Sequence, residues 1–335
     1  MTARALRVVV LLGLAMVVAI ALRLVVASGG GGLEWPTSPT IFELRAHRAV
    51  SAAAVGMALA VSGVLLQAML RNPLASEYVL GLSAGASLGI VVASYVAYRV
   101  SGVIVSASPP AYAPIAGAAA VLGLVYVLGR RGGLIDPATL ILAGVAVGIV
   151  CSAITTLMQS LLPDQGVALS ARWLMGAISA DTAWARVWAV ASLAAVGAAV
   201  AMWLGPSFDA ASLSDDEARS VGVPLARMRL LAFMLASVLT GATLLLAGPI
   251  AFVGLICPHI VRRLAGARHR GVFAGSALAG AGLLVFADAL VSAMPLTSGQ
   301  APVGVVTALL GGPVFVYLLK RGFAVGGAAG AGGPR

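Results

Sequence analysis

The central feature of this sequence is the stretch VGMALAVSGVLLQAMLRNPLASEYVLGLSAGASLG, residues 55–89. Two apolar, glycine-rich runs flank a polar hinge, RNPLAS, at residues 71–76. Pro73 cannot donate a backbone hydrogen bond and drives Asn72 toward an extended conformation, so neither run absorbs the hinge as helix. In hydrocarbon, a broken backbone is tolerated only where protein or a water-filled cavity satisfies its polar groups. The hinge is therefore predicted to lie in a transport pathway or at a contact surface.

The composition assigns most of the chain to a lipid bilayer. Of its 335 residues, 61% are hydrophobic and 10% are charged, and the mean hydropathy is +1.05. The formal net charge of +10 does not indicate a nucleic-acid partner, because the basic residues fall in short clusters between apolar runs. Cys151 and Cys257 lie far apart in apolar surroundings and are predicted to be buried free thiols. The predicted fold class is an all-α, polytopic integral membrane protein.

Apolar runs long enough to cross about 30 Å of hydrocarbon recur along the chain. They lie near residues 8–28, 49–70, 79–98, 111–129, 138–161, 184–205, 230–247, 272–294 and 303–319. Arg4 and Arg7 precede the first run and Lys320 follows the last, so the positive-inside rule predicts two cytoplasmic termini and an even number of crossings. The shorter apolar piece at residues 250–261 then becomes the tenth crossing. Cleavage of the first run as a secretory signal, the alternative, would spoil this parity.

An inverted internal repeat is predicted at an offset of 185 residues, because an odd number of crossings separates its two copies. The residues that match at this spacing are Gly56 with Gly241, Gly63 with Gly248, and Pro73 with Pro258. The predicted organisation is a single transmembrane domain, residues 1–335. Its parts are a first span (1–28), repeat one with spans 2–5 (36–161), a sixth span (184–205), a cytoplasmic segment (206–229), repeat two with spans 7–10 (230–321) and a flexible tail (322–335).

The energy for transport is predicted to come from a partner. A P-loop needs a lysine followed by Ser or Thr, and the only lysine, Lys320, precedes Arg321. An ion-coupled secondary transporter, the alternative, needs an ionisable residue deep in the membrane. Asp288 alone lies inside an apolar run, near its outer end, where a paired or hydrated carboxylate is expected. The apolar runs contain no catalytic motif, and the histidines lack metal-ligand spacing, so neither an enzyme nor a metal site is predicted.

The hydrophilic stretch GPSFDAASLSDDEARSVGVPLARMR, residues 205–229, is the predicted contact for that partner. Residues 214–217 read SDDE, which has the spacing of a capping box and carries acids where the helix dipole favours them. Gly222 ends this turn, and Pro224 can open the next helix. Two short helices on the cytoplasmic surface are therefore expected, with a solvated linker as the alternative.

The sequence also carries a family resemblance. Residues 45–89, RAHRAVSAAAVGMALAVSGVLLQAMLRNPLASEYVLGLSAGASLG, resemble the signature region of the FecCD-type permeases of ABC importers, which include those for ferric siderophores, haem and vitamin B12. Later blocks of that family have similar counterparts here in the same order: LILAGVAVGIVCSAI, RWLMGAIS, EARSVGVPLARMR, AGPIAFVGLICPHIVRRLAGARHR and PVGVVTALLGGPVFVYLLKR. The likeness covers nearly the whole chain.

The resemblance implies an importer built from several subunits in the cytoplasmic membrane. Its parts are a homodimer of ten-helix subunits, two cytoplasmic ATPase subunits that bind ATP and Mg, and an external substrate-binding protein. The chain itself would hold no cofactor and perform no covalent chemistry. Ferric siderophore is the expected cargo, with haem and cobalamin as alternatives.

The resemblance also implies roles for individual residues. The coupling helices that seat in the ATPase match Ser214, Asp215, Asp216, Glu217, Ala218, Arg219, Gly222 and Val223. The arginines that meet carboxylates of the binding protein match Arg45 and Arg48. The cytoplasmic gate matches Asn72, Pro73 and Leu74, and the loop with Pro137 and Ala138 resembles a second closing element. Spans five and ten would line the pathway with Gly144, Gly148, Gly304 and Gly311, for which close helix packing is an equal explanation.

Overall fold

Thirteen α-helices and one short β-hairpin form the part of the chain that the computed structural model describes, residues 2–27, 32–102, 112–131, 134–180, 182–213, 215–220, 222–294 and 302–329. The helices are α1 (Ala3–Val25), α2 (Pro39–Leu70), α3 (Leu82–Ser101), α4 (Tyr112–Leu128), α5 (Pro137–Gln159), α6 (Asp164–Leu174), α7 (Trp184–Trp203), α8 (Gly205–Ala211), α9 (Asp215–Ser220), α10 (Leu225–Thr243), α11 (Val253–Ala265), α12 (His269–Ala293) and α13 (Val303–Ala329). The antiparallel strands β1 (Arg130–Arg131) and β2 (Leu134–Ile135) lie between α4 and α5.

Ten of these helices coincide with the predicted apolar segments. Seven are long and apolar enough to cross a membrane, namely α1, α2, α3, α5, α7, α10 and α12. Two more are apolar but shorter, α4 and the Val303–Tyr317 part of α13. The tenth is α11, which has 13 residues and contains Pro258. The prediction of an all-α, polytopic membrane protein is confirmed.

The central helix of the bundle is α2. It packs against α7, α10, α11 and α12, and most of its side chains are buried, as expected for a helix that is apolar on all sides. Glycines bring neighbouring backbones close. A Cβ on Gly56 would lie 2.1 Å from the carbonyl oxygen of Gly280 in α12, and one on Gly63 would lie 1.8 Å from that of Gly254 in α11. The backbone of α2 therefore touches the backbones of two neighbours.

Two helix starts differ from the predicted ones. Helix α2 begins at Pro39, well before the predicted run at residues 49–70, and the hydroxyl of Ser38 caps it. Charged residues interrupt the apolar pattern in this first part of the helix, although Ser followed by Pro is a helix-start signal. Pro224 opens the spanning helix α10 rather than a second surface helix. The two short helices of the cytoplasmic segment are α8 and α9, which both precede it.

The end of the chain is more helical than predicted. Helix α13 extends to Ala329, so residues 322–329 are helical where a flexible tail was expected, and residues 330–335 lie outside the described residues. Alanine has the highest helix propensity of all residues and glycine the lowest after proline, so the local sequence of this Gly/Ala-rich segment does not predict the helix.

The glycine and proline matches of the predicted repeat do not mark equivalent places. Pro73 lies in the loop after α2, whereas Pro258 lies inside α11. Gly63 contacts α11, whereas Gly248 packs against the backbone of Trp173 in α6. A glycine-rich chain produces such matches by chance. The inversion of spans 2–5 relative to spans 7–10 stays a prediction.

Helix α6 is the element that hydropathy did not predict. It packs against α3, and Asp164 and Arg172 interrupt its apolar pattern, so no apolar run marks it. The thiols of Cys151 and Cys257 are buried and free, as predicted.

Candidate functional site

The predicted hinge is a break between α2 and α3. Arg71 follows the last residue of α2 and has a left-handed backbone conformation, with a φ of 47°. The side chain of Asn72 accepts a hydrogen bond from the backbone N–H of Leu74 at 2.9 Å, which closes a turn around Pro73. Pro73 and Leu74 are exposed. The break is confirmed, and the gate role of Asn72, Pro73 and Leu74 stays a prediction.

Gln67, one turn before the hinge, compensates for the proline in α11. Pro258 cannot donate to the carbonyl four residues earlier, which is that of Gly254. The buried side-chain amide of Gln67 donates to this carbonyl at 3.2 Å, and the guanidinium of Arg262 donates to the amide oxygen of Gln67. A polar side chain on α2 thus holds α11 in register with the end of α2.

Glu77 lies in the loop between α2 and α3 and is the buried acid of this region. Its side chain is 2% exposed, and neither carboxylate oxygen has a hydrogen-bond partner in another described residue. The carboxylate lies against the first turn of α11, where a Cβ on Gly254 would be 2.7 Å from Oε2. Burial raises the pKa of Glu77 to about 7, against a smaller opposing effect of its own backbone N–H. The loop that contains the hinge therefore carries a carboxyl group that is easily neutralised.

The predicted coupling segment, residues 205–229, contains α8 and α9. Helix α9 ends as its sequence predicts: Gly222 has a φ of +80°, its N–H donates to the carbonyl of Arg219, and the N–H of Val223 donates to the carbonyl of Ala218. This pair of hydrogen bonds is the Schellman motif. Ala218 is buried and Glu217 is exposed. Ser214 lies outside the described residues, as do the side chains of Asp215 and Asp216, so the predicted capping box is untested there.

Hydrogen bonds join α8 to the start of α12 and to the end of α2. At the start of α12, the backbone N–H of His269 donates to Asp209 at 2.8 Å, and the Nδ1 of its ring lies 2.8 Å from the same oxygen. At the end of α2, the guanidinium of Arg71 donates to the carbonyls of Ala211 and Leu213, at 2.9 and 2.5 Å. The predicted coupling segment therefore contacts Arg71, the first residue of the hinge.

Arg45 and Arg48 are buried rather than presented at an outer rim. The guanidinium of Arg45 donates to the carbonyls of Leu24 and Glu34, both at 2.8 Å. That of Arg48 donates to Asp288 through Nη2 at 2.5 Å and through Nε at 3.3 Å. Both arginines are less exposed than docking residues would be, because contacts within the chain occupy them. Their role in binding-protein docking stays a prediction.

Asp288 is the centre of a buried charge cluster, which consists of Arg23, Arg48 and Asp288. Its carboxylate also accepts a hydrogen bond from Nε of Arg23 at 2.5 Å, and both side chains are almost fully buried. The cluster joins α1, α2 and α12. The prediction that Asp288 is a paired carboxylate is confirmed, although the carboxylate is buried rather than hydrated.

The second predicted closing element is the start of α5. Asp136 caps the helix by accepting a hydrogen bond from the N–H of Thr139 at 2.9 Å, and Pro137 takes the first helical position, with Ala138 exposed beside it. The loop that follows the hinge packs directly on α5, because a Cβ on Gly144 would lie 2.5 Å from the carbonyl oxygen of Val79. The start of α5 and the hinge loop thus belong to one contact region.

The predicted pathway glycines all lie where other groups approach closely. Gly148 packs on Gly81. Gly304 donates its N–H to the carbonyl of Gly176 at 2.9 Å, and a Cβ on Gly311 would lie 2.5 Å from the ring of Phe252. These contacts agree with the packing explanation, and the pathway role stays a prediction.

Four structural features of this region were not predicted from the sequence: the Arg23–Asp288 pair, the Gln67 bridge, buried Glu77 and the Arg71 contact to α8. Arg23 and Asp288 are charges inside apolar runs, and their opposite signs were a signal that the two runs pair. Gln67 is a polar residue inside a run and signals a buried partner. No feature of the sequence indicates that Arg71 reaches α8.

Comparison with known proteins identifies a family. The profile of the FecCD transport family matches residues 5–321. The Fe(3+)-citrate import system permease protein YfmD of Bacillus subtilis is 40% identical over 288 residues, which cover 84% of this chain and 81% of that protein. The cobalamin import system permease protein BtuC of Halobacterium salinarum is 35% identical over 307 residues, which cover 87% and 80%.

A solved structure supports the same fold. It shows an inward-facing conformation of a metal-chelate type ABC transporter. The alignment has a TM-score of 0.81 and 27% sequence identity, and it covers 95% of this chain and 99% of the other.

Proposed function

The chain belongs to the FecCD transport family, and on that premise we propose that it carries a ferric chelate across the cell membrane. It is the permease subunit of an ABC importer in the group that takes up iron chelates, haem or vitamin B12, and ATP hydrolysis belongs to a separate subunit. The proposal concerns the cargo and the identity of the moving parts.

The observation that carries the cargo proposal is the 40% identity to a Fe(3+)-citrate permease. The match to a metal-chelate type transporter supports the same class. A ferric siderophore, in which oxygen donors wrap the metal in an organic shell, is the proposed cargo within this class. Cobalamin is the second candidate, because a cobalamin permease is 35% identical. Haem is the third.

The proposed assembly is a homodimer in the inner membrane with two ATPases and an external binding protein, and both termini in the cytoplasm. Exposed apolar side chains on α5 and α13 support a second copy, because they leave faces that another subunit can cover. The most exposed of these side chains are Leu142, Ile149 and Leu309.

The proposed mechanism is alternating access. ATP binding draws the two ATPases together, the segment with α8 and α9 receives the movement, and the gate at residues 72–74 of the hinge changes state while the binding protein discharges its cargo. The Schellman end of α9 and the polar contacts of α8 support this proposal, because they make the segment a defined body that can transmit a displacement.

Uptake into proteoliposomes tests the function. The chain, its ATPase and its binding protein are reconstituted, and ATP-driven accumulation of labelled ferric siderophore, ferric citrate, haem and cobalamin is measured in parallel. Accumulation of a ferric chelate alone is expected. Accumulation of cobalamin or haem instead would reassign the cargo. Uptake that collapses with an uncoupler at constant ATP would refute the ATP-driven class in favour of an ion-coupled one.

A further inference from the structure

We propose that Arg71 is a positioning residue that ties the hinge to the coupling segment, so that a displacement of α8 reaches residues 72–74 directly. The proposal rests on the proposed function for the meaning of the two parts, and on the following contacts for the tie itself.

The backbone of Arg71 gives the first reason. A left-handed conformation disfavours residues with a Cβ, and glycine is the usual residue where a helix ends in this way. Arg71 is one of two residues other than glycine with a positive φ among the described residues. Glycine would relieve the backbone here, so what arginine contributes at this position is its side chain.

The target of that side chain gives the second reason. Ala211 is the last residue of α8, and Leu213 lies between α8 and α9. The carbonyls at a helix C-terminus lack intrahelical partners and carry the negative end of the helix dipole. The guanidinium of Arg71 donates to both carbonyls from one nitrogen, Nη2. One guanidinium thereby satisfies the carbonyl of the last residue of α8 and also contacts the linker that leads into α9.

The position of Arg71 in the chain gives the third reason. Asn72 is the next residue, and its side chain closes the turn around Pro73. Any movement that Arg71 follows is therefore delivered at the turn without passing along α2, which is buried and packed on four helices. Helix α8 is also held to α12 through Asp209 and His269, and it packs against α7 and α10. A displacement of α8 therefore acts on the Arg71 contact together with these other contacts.

Two variants separate the side chain from the backbone. Arg71→Gly removes the guanidinium and relaxes the left-handed conformation, so a loss of function is not due to added backbone strain. Arg71→Lys keeps the charge but places it on a shorter side chain, which weakens the contact with the two carbonyls. Arg7→Gln, at an exposed position near the start of α1 and outside every predicted site, removes one charge that is predicted to be cytoplasmic and is the matched control.

The functional measurement is cargo taken up per ATP hydrolysed, in complexes that are first shown to retain the ATPase. Arg71→Gly is expected to lower this ratio by about tenfold, the factor that losing a hydrogen bond to a charged group allows. Arg71→Lys is expected to lie between the wild type and Arg71→Gly, and Arg7→Gln is expected to match the wild type. A purely structural role would instead lower the yield of the complex and leave the ratio unchanged, which would overturn the proposal.

The second measurement does not depend on transport. Spin labels at Leu74 and Leu213, which are 39% and 43% exposed, report the distance between the hinge and the coupling segment. The distance distribution is expected to be narrow in the wild type and broad in Arg71→Gly. Equal widths would overturn the tie even if the transporter were fully active. Absence of ATP-driven uptake in the wild type would refute the proposed function alone, because the distance measurement still decides the tie.

Discussion

Replacing Asp288 with asparagine is expected to leave two buried guanidinium groups without a counter-charge. In the charge cluster, Asp288 is fully buried, Arg23 is 1% exposed, and Arg48 binds both carboxylate oxygens. Removing one partner of a buried ion pair typically costs about 3–5 kcal/mol, because the remaining charge stays in a medium of low polarity. The loss here is expected at the upper end of this range, since one carboxylate serves two arginines.

The assay is the apparent unfolding midpoint of the chain in lipid nanodiscs. At about 2 °C per kcal/mol for a chain of this size, the upper end of that range corresponds to a lowering of the midpoint by roughly 8–10 °C in Asp288→Asn. The matched control is Asp164→Asn, the same chemical change at an exposed position in α6, for which a change within about 0.5 kcal/mol is expected.

A triple variant tests whether the unpaired buried charges cause the loss of stability in Asp288→Asn. Arg23→Met, Arg48→Met and Asp288→Leu together remove every charge of the cluster and keep apolar bulk. Replacing a buried ion cluster in this way is typically neutral or stabilising by about 1–4 kcal/mol. The reasoning would be refuted if Asp288→Asn left the midpoint unchanged, or if the triple variant were as unstable as the single one.

Three further predictions concern Glu77 and two glycines. Burial raises the pKa of Glu77 from 4.5 to about 7, so between these pH values the folded chain holds a proton that the unfolded chain releases. The contribution of Glu77 to the stability of the chain is therefore largest below pH 4.5 and is lost as the pH rises to about 7. This loss, roughly 3 kcal/mol, should disappear in Glu77→Gln, as measured by unfolding midpoints across that window. Gly63→Ala is expected to lower the free energy of unfolding by about 1–3 kcal/mol, because the new Cβ would meet the backbone of Gly254. Its control, Gly123→Ala, has open space around the new Cβ and should be neutral or stabilising in the same midpoint assay. Gly222→Val should weaken co-purification of the ATPase, because valine is strained at a φ of +80°, and Gly222→Asn should retain it; equal retention would exclude the end of α9 from the contact.

The sequence predicts well what depends on local chemistry. Pro73 determines the break after α2, and Gly222 determines the end of α9, because a missing N–H and a missing Cβ act at their own positions. Hydropathy locates the spans for a similar reason, since each must be apolar along its own length. Where polar residues enter a helix, as in α6 and in the first turns of α2, the same signal fails.

The sequence predicts poorly what depends on distant partners. Arg48 and Asp288 were assigned separately, one to docking and one to the outer end of a span, although they form one ion pair across 240 positions of the chain. Gln67 and Arg71 act through carbonyl groups, which every residue possesses, so no residue type marks their targets. Whether an arginine binds a partner protein or pairs within the chain depends on its burial, and burial is determined by the fold.

The distribution of polar contacts along α2 explains why the hinge lies at its end. In the N-terminal part of the helix, Arg48 joins it to α1 and α12 through Asp288. Near its C-terminal end, Gln67 joins it to α11, and the next polar side chain, Arg71, joins it to α8. Between these contacts α2 is mostly apolar, with Ser62 hydrogen-bonded to α10, and it touches the backbones of its neighbours at Gly56 and Gly63, so bending it there would open packed contacts along the bundle. A displacement that reaches the C-terminal end of α2 is therefore expected to be absorbed beyond Arg71, at the turn around Pro73, where the side chains of Pro73 and Leu74 are exposed and few contacts have to break.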